Sequence, residues 1–185
     1  EEFKDAYKRG VEEGWFATSS KPEHGGMGAP TFFQAVTWAE FGTSTCMSLS
    51  VLPALTTGVY EVLAEHGVSE LVDYYAGNLA TGEWAGTMCL TEPHAVTDLG
   101  IISTRADPNE DGTYRISGTK IFITYGEHDM TDNIVHLVLA KVPGGPEGTK
   151  GISLFLVPKY LPKQWGDGSL SEITHDLSDS VNGVS

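Results

Sequence analysis

Met88-Cys89-Leu90-Thr91-Glu92-Pro93-His94-Ala95-Val96-Thr97-Asp98 marks the point where one structural regime gives way to another. Before Trp84 the apolar residues recur at helical spacing; from Trp84 onward they fall into short β-prone runs. The stretch leaves an apolar strand through a Thr-Glu-Pro turn, because Pro93 has no N–H with which to continue a ladder. It then enters a short loop bearing hydroxyls. A helical block followed by a block of strands argues an α+β chain rather than a wound βαβ sheet.

On the N-terminal side, Phe3, Tyr7 and Val11 share a helical face within Glu2–Glu13. Residues 14–30 are loop material, dense in breakers around Gly25-Gly26-Met27-Gly28-Ala29-Pro30. Those glycines do not follow GxGxxG and no strand precedes them, so a connecting loop is expected. A second helix starts at Thr31, a candidate cap. Its apolar residues Phe32, Phe33, Val36, Trp38 and Phe41 surround it, which predicts burial on several sides. Leu52, Leu55, Val59, Val62 and Leu63 form a stripe on a third helix. Gly67 stops it, Ser69 is placed to cap a fourth with Leu71, Val72, Tyr75 and Leu79 inward, and Gly82 ends that one.

On the C-terminal side the spacing predicts strands over Trp84–Leu90, Ile101–Ala106, Tyr114–Thr124, Ile134–Val142 and Ile152–Val157, separated by Pro/Gly/Asn turns. Ile134–Ala140 is almost continuously apolar, as in a strand covered on both faces. The tail from Leu161 is polar, and Val181-Asn182-Gly183-Val184 reads as the start of another strand or hairpin.

Among 185 residues, 11 Lys and Arg stand against 25 Asp and Glu, a formal charge of -14 spread over both halves. Such a surface repels phosphate polymers and argues against nucleic-acid binding. The two cysteines, Cys46 and Cys89, make no CxxC pair or disulfide framework, which suits a cytoplasmic location. No uninterrupted apolar run reaches the ~20 residues of a membrane span, so none is expected. No signal peptide opens the chain, and Glu1 in place of Met suggests that the true start lies upstream.

A planar ring, apolar on its faces and polar along one edge, needs backbone groups at a strand end, a side chain beside its reactive atom, and apolar cover. Met88 to Thr91 offer alternate backbone groups and the Thr91 hydroxyl. Thr97 adds a hydroxyl where a pyrophosphate can sit. Phe122 can pack on the ring, and Thr124 can reach its edge from a second strand. Plain strand-and-turn geometry explains these residues about as well.

Taken in order, His66-Gly67, Gly82-Glu83-Trp84, Leu90-Thr91-Glu92-Pro93, Thr97-Asp98, Gly118-Thr119-Lys120 and Ile123-Thr124 resemble the acyl-CoA dehydrogenases. Residues 1–83 are similar to most of that family's N-terminal helical domain. Residues 84–185 are similar to part of its middle β domain, which implies an incomplete antiparallel β-barrel-like sheet. His94-Ala95 and the wording from Phe122 to Asp129 lean toward a larger bacterial subgroup, whose members act on fatty or short sulfur-containing acyl-CoA.

The resemblance implies a flavoprotein oxidoreductase of fatty acid metabolism. It implies that FAD is the cofactor, an acyl-CoA thioester the substrate of α,β-dehydrogenation, and an electron-transfer flavoprotein the electron acceptor. It implies flavin contacts, partly through backbone, from Met88, Leu90 and Thr91. Thr97 would touch both the FAD pyrophosphate and the acyl-CoA. Phe122 and Thr124 would flank the isoalloxazine, with Phe122 where many relatives have Trp. The family's catalytic base is a carboxylate of a C-terminal helical domain outside this sequence, so no catalytic residue is assigned here. Full-length relatives form homo-oligomers through that domain. Val96 stands where the family usually has Gly, which puts close approach to phosphate in question. Two alternatives stay open: a non-catalytic or truncated relative acting as a binding or assembly module, and an oxygen-using, acyl-CoA oxidase-like enzyme.

Other polar residues have plainer readings. Glu92 suits a turn-stabilising carboxylate better than a general acid, and Glu83 is read the same way. His136 fits a satisfied core histidine. Glu127-His128-Asp129 lacks metal-site spacing, so no metal is expected. Cys46 and Cys89 are small apolar residues rather than nucleophiles. The Trp15-Phe16 and Tyr74-Tyr75 pairs serve packing, with Tyr75 inward.

Overall fold

The computed structural model describes residues 1–44 and 47–161; Cys46, His175 and the strand start expected at Val181–Val184 lie outside them. Four helices come first: α1 (Glu2–Glu12), α2 (Thr31–Ser44), α3 (Met47–His66) and α4 (Ser69–Thr81). Five strands follow: β1 (Ala85–Cys89), β2 (Arg105–Pro108), β3 (Tyr114–Ser117), β4 (Ile134–Lys141) and β5 (Ile152–Pro158). The chain divides into a helical unit, Glu1–Gly86 with His128–Ile134, and a sheet unit, Thr87–Glu127 with the chain from Val135 on.

In the helical unit, the periodic apolar faces become the core. Tyr7 of α1 is buried, stacks on Phe16 at 5.1 Å, and donates its hydroxyl to the Gly82 carbonyl at 2.7 Å. That bond ties α1 to the end of α4. Gly82 closes α4 at φ 83, a left-handed conformation that costs glycine little. Leu52, Val59 and Leu63 of α3 are buried, with Leu55 and Val62 half-buried, so the expected stripe faces inward. By length and composition α3 could cross a membrane, but half of it is buried inside this unit, where it packs on α2 and α4. Tyr75 is buried and Phe16 covered, while Trp15 lies exposed.

Two sequence expectations change here, and a third, the plain connecting loop at residues 14–30, stands. Among its described residues α2 buries only Gln34, and Phe32, Phe33 and Val36 face outward. The inward contact is polar: the Ser19 hydroxyl donates to the Gln34 amide oxygen, and Gln34 Nε2 donates to Thr57 Oγ1 at 3.2 Å. Ser69 does not cap α4. Val68 holds that position in extended backbone with no side-chain cap bond, and the Ser69 hydroxyl bonds Glu70 instead. The glycine-rich loop keeps no amides for phosphate. The N–H groups of Gly26, Met27, Gly28 and Ala29 donate to Lys21, Ala17, Ser20 and Thr18 carbonyls.

The strands form one curled, partly open sheet in the order β1-β4-β2-β3, with β5 also on β4. β2 and β3 make an antiparallel hairpin, and β4 pairs antiparallel with β5 from Val135↔Pro158 to Lys141↔Ile152. β2 meets β4 in parallel at Arg105↔Lys141. The fold class is therefore α+β as expected, with a mixed sheet where a wholly antiparallel one was anticipated. β3 reverses the chain after β2, so β4, after the connection from Gly118 to Asn133, runs in the same direction as β2. Cys89, Ala106, Ile116, Val138 and Ala140 form the sheet core, with Ile123, Val142, Phe155 and Val157 packed against it.

Two strand boundaries also move. The run expected over Ile101–Ala106 opens with a tight turn at Leu99–Ile101, and β2 begins at Arg105. The run expected over Tyr114–Thr124 ends at Ser117. Gly118 lies so close to Thr104 that a Cβ there would sit 2.3 Å from Thr104 Oγ1. Beyond it, Phe122 and Tyr125 adopt φ 56 and 53, which extended backbone cannot accommodate.

Candidate functional site

The end of β1 and the irregular segment after β3 lie side by side. The Ile121 N–H donates to the Thr91 carbonyl at 2.9 Å, and Lys120 Nζ donates to the Leu90 carbonyl at 3.0 Å. Glu92 turns the chain back on itself through paired bonds with Ala95, Glu92 N–H to Ala95 O at 3.0 Å and Ala95 N–H to Glu92 O at 3.1 Å. Pro93 sits inside that turn, as its missing N–H requires.

Beneath the junction is a buried polar cluster. Glu92 is 0% exposed and Lys120 1%, with Lys120 Nζ 2.9 Å from Glu92 Oε1. The carboxylate also accepts from Ser103 N–H at 2.7 Å, Ser103 Oγ at 2.8 Å, Thr104 N–H at 3.1 Å and Thr104 Oγ1 at 2.5 Å. Burial pushes its pKa up, but the Thr104 hydroxyl, the Ser103 N–H, Lys120 and the Ser103 hydroxyl outweigh that and bring it down to about 2. The carboxylate is therefore ionised, enclosed and fully hydrogen-bonded, which excludes it as a general acid. It organises the turn, as the plainer reading held.

Of the six singled-out residues, four are exposed and two half-buried. Met88 is the exposed position of β1, whose burial otherwise faces inward. Leu90 and Thr91 are half-buried, and Thr97 and Thr124 are exposed. Phe122 is 84% exposed although apolar and aromatic. Among the described residues the hydroxyls of Thr91, Thr97 and Thr124 have no hydrogen-bond partner. Leu90, Thr91, Phe122 and Thr124 are thus gathered at one junction. Thr97 sits on the loop beyond, held where Asp98 accepts from Gly100 N–H at 3.0 Å and Lys141 Nζ donates to Gly100 O at 2.6 Å.

Val96 has ordinary backbone: positive φ among non-glycine residues occurs only at Phe122 and Tyr125 within the described chain. Its side chain is 58% exposed, so no strain arises from the missing glycine. His136 is buried 2.6 Å from the Thr87 hydroxyl, with Cys89 Sγ 3.8 Å from the same Nδ1. Burial raises the Cys89 thiol pKa and keeps it unreactive. Glu127 pairs with Lys159 and Asp129 with Lys4, so the Glu-His-Asp run does not converge on a metal.

Sequence reasoning named Lys120 only within a motif and gave Ser103 and Thr104 no role. One signal was available: a lone lysine ahead of Ile121-Phe122-Ile123, inside the strand expected over Tyr114–Thr124, needs a carboxylate if it is buried.

Comparison with known proteins agrees with this architecture. The family profile of the acyl-CoA dehydrogenase N-terminal domain matches residues 1–83, and that of the middle domain matches residues 87–176. The chain is 48% identical over 169 residues to 3-methylmercaptopropionyl-CoA dehydrogenase of Ruegeria pomeroyi, covering 91% of this chain and 29% of that protein. It is 37% identical over 145 residues to a butyryl-CoA dehydrogenase of Syntrophomonas wolfei, covering 75% and 24% respectively. Among solved structures, an acyl-CoA dehydrogenase of Bacillus anthracis complexed with FAD superposes with a TM-score of 0.69 at 27% identity, over 88% of this chain and 28% of that one. The chain spans less than a third of the length of these relatives. By both domain profiles and by these identities, it belongs to the acyl-CoA dehydrogenase family.

Proposed function

We propose that this chain forms the flavin-facing part of an FAD-dependent dehydrogenase that converts an acyl-CoA thioester to its α,β-unsaturated form. One observation carries the reading: Ile121 N–H to Thr91 O at 2.9 Å joins the chain just past β1 to the irregular segment after β3, beside the unpartnered hydroxyls of Thr91 and Thr124 and an outward-facing Phe122. These residues fit a flavin. Unpaired hydroxyls await polar partners, and an aromatic side chain held in water by left-handed backbone is apolar cover without a partner.

In this reading Leu90, Thr91 and Met88 hold the polar edge of the ring, partly through backbone. Phe122 covers it and Thr124 reaches the edge that reacts. Thr97 donates to the pyrophosphate and contacts the acyl-CoA. Bound FAD supplies the acceptor for the β-hydrogen. The α-proton needs a carboxylate base, and we assign none within this chain, since Glu92 is enclosed and saturated with hydrogen bonds. The reading extends to electron transfer to an electron-transfer flavoprotein, to homo-oligomeric assembly and to the cytoplasm, where an unpaired Cys89 is at home. The absence of strain at Val96 favours a cofactor-binding chain over a non-catalytic module.

The test is colour. The native protein that carries this chain should purify yellow, and a saturated acyl-CoA should bleach its flavin band without oxygen. A colourless protein that stays so with excess FAD would refute the reading.

A further inference from the structure

We propose that the buried Lys120–Glu92 pair is a positioning device for the cofactor edge: Lys120 fixes the Leu90 carbonyl, and so aims the Thr91 N–H outward as a charge-reinforced donor to the ring. The inference rests on the flavin reading and assigns a role to two residues that do not touch the ligand.

The argument begins with one peptide unit. The Leu90 carbonyl and the Thr91 N–H belong to the same planar amide, and no cis peptide bond occurs among the described residues, so the two groups point in opposite directions. Lys120 Nζ takes the carbonyl from the buried side at 3.0 Å. The N–H therefore faces away from the cluster, and among the described residues no carbonyl accepts it. A buried, hydrogen-bonded polar group that leaves its peptide partner unmet is a donor prepared for a ligand. An ammonium on the carbonyl oxygen also draws electron density through the amide and strengthens that donor.

Glu92 is what makes a buried ammonium tenable. A lone charge that is 1% exposed would be costly, and the carboxylate at 2.9 Å neutralises it. Four further donors from Ser103 and Thr104 disperse the carboxylate's charge on its far side. Lys120 engages only Oε1 of Glu92, whereas Ser103 engages Oε2, and the ammonium has a further hydrogen for Leu90 whether or not Ser103 is present. The same lysine begins the segment that carries Phe122 and Thr124, and Ile121 N–H clamps it to Thr91 O. One side chain consequently sets both the donor edge and the aromatic flank.

The experiment uses the native protein that contains this chain, loaded with FAD. Lys120→Met breaks the device. The double variant Lys120→Met/Glu92→Gln breaks it without leaving a lone buried charge. Ser103→Ala is the structural control, since it trims the cluster without touching Lys120 or Leu90. The double variant should bind FAD about tenfold more weakly. It should also hold reduced flavin about tenfold less well relative to oxidised flavin, a fall in reduction potential of about 30 mV for a two-electron couple. Ser103→Ala should lower thermal stability and leave affinity and potential as in wild type. A folded double variant with wild-type affinity and potential overturns the proposal. If neither lysine variant folds, amide exchange on the wild type decides: exchange at Thr91 should slow at least tenfold on FAD loading, and an unprotected Thr91 overturns the proposal. A wild type that takes no FAD at all overturns the function reading, and this inference with it, before any variant is made.

Discussion

The helical unit and the sheet unit are stabilised by opposite means. Outside α2, the first buries what its periodicity advertises: Tyr7, Leu52, Val59, Leu63, Tyr75 and Leu79 are buried apolar residues, and a tyrosine bond at Gly82 spans α1 and the end of α4. The second has an apolar sheet core too, but at the end of β1 it buries an ion pair and four hydroxyl or amide donors. Apolar cores are forgiving and non-directional, whereas ionic clusters are directional and fail sharply when one member is lost. The chain therefore places its directional interactions where a ligand must be aimed and its forgiving ones where only a scaffold is needed.

The sharpest test of that contrast compares two buried deletions. Lys120→Met strands the Glu92 carboxylate and should cost about 3–5 kcal/mol. Leu52→Ala, at a fully buried position of α3, leaves a cavity and should cost about 2–4 kcal/mol. The distinguishing readout is rescue. Adding Glu92→Gln to the lysine variant should recover part of the loss in urea unfolding, because the stranded charge is gone. No polar second change should recover the leucine variant. Equal rescue of both would dissolve the contrast.

Acid sharpens it next. The Glu92 carboxyl sits near 2 in the folded chain against an ordinary value of 4.5. The unfolded chain thus takes up its proton first as pH falls. Stability from this group is complete above about pH 4.5 and is lost between there and pH 2. Chemical denaturation across that window should show a downward slope for wild type and a flatter one for Glu92→Gln. Identical slopes would mean that the carboxylate is not held by the cluster.

Much of the fold was legible because helices and strands declare themselves by period. Tyr75 inward, Gly82 as a stop and the covered strand at Ile134–Ala140 all follow from spacing. What periodicity hid was polarity in the wrong place. The apolar look of α2 pointed to burial, yet Gln34 is the inward residue because Ser19 and Thr57 satisfy its amide, and no local pattern shows partners at that distance. The segment after Ser117 reads as strand, since Ile121, Phe122 and Ile123 are β-prone. Tertiary closeness at Gly118 and left-handed backbone at Phe122 override propensity there. The candidate site was visible as a list of residues. Its support was not, because an ion pair spanning residues 92 and 120 leaves only an isolated lysine as its trace.

Phe122 tests whether that override serves a ligand. A β-prone aromatic at φ 56 and 84% exposure is strained and gains little burial. Asparagine accepts left-handed backbone more readily. Phe122→Asn should raise the stability of the FAD-free protein by about 0.5–1 kcal/mol and weaken FAD retention, read by differential scanning and by flavin release on gel filtration. A variant that loses stability and keeps its flavin would assign Phe122 to the fold.

The smallest effect is expected at Val96, where family habit and geometry disagree. A glycine is required only if the backbone enters the left-handed region or something approaches where Cβ stands. Val96 meets the first condition in neither direction, since its φ is ordinary, and its side chain points largely into solvent. Val96→Gly should therefore leave FAD affinity within about twofold and cost about 0.5 kcal/mol of stability, the entropy of a looser unfolded chain. Titration of the FAD-free protein measures the first and thermal unfolding the second. If glycine instead tightens FAD tenfold or more, a phosphate approaches closer to this loop than its free geometry implies. The site would then be assembled by the ligand and not held ready by Lys120 and Glu92.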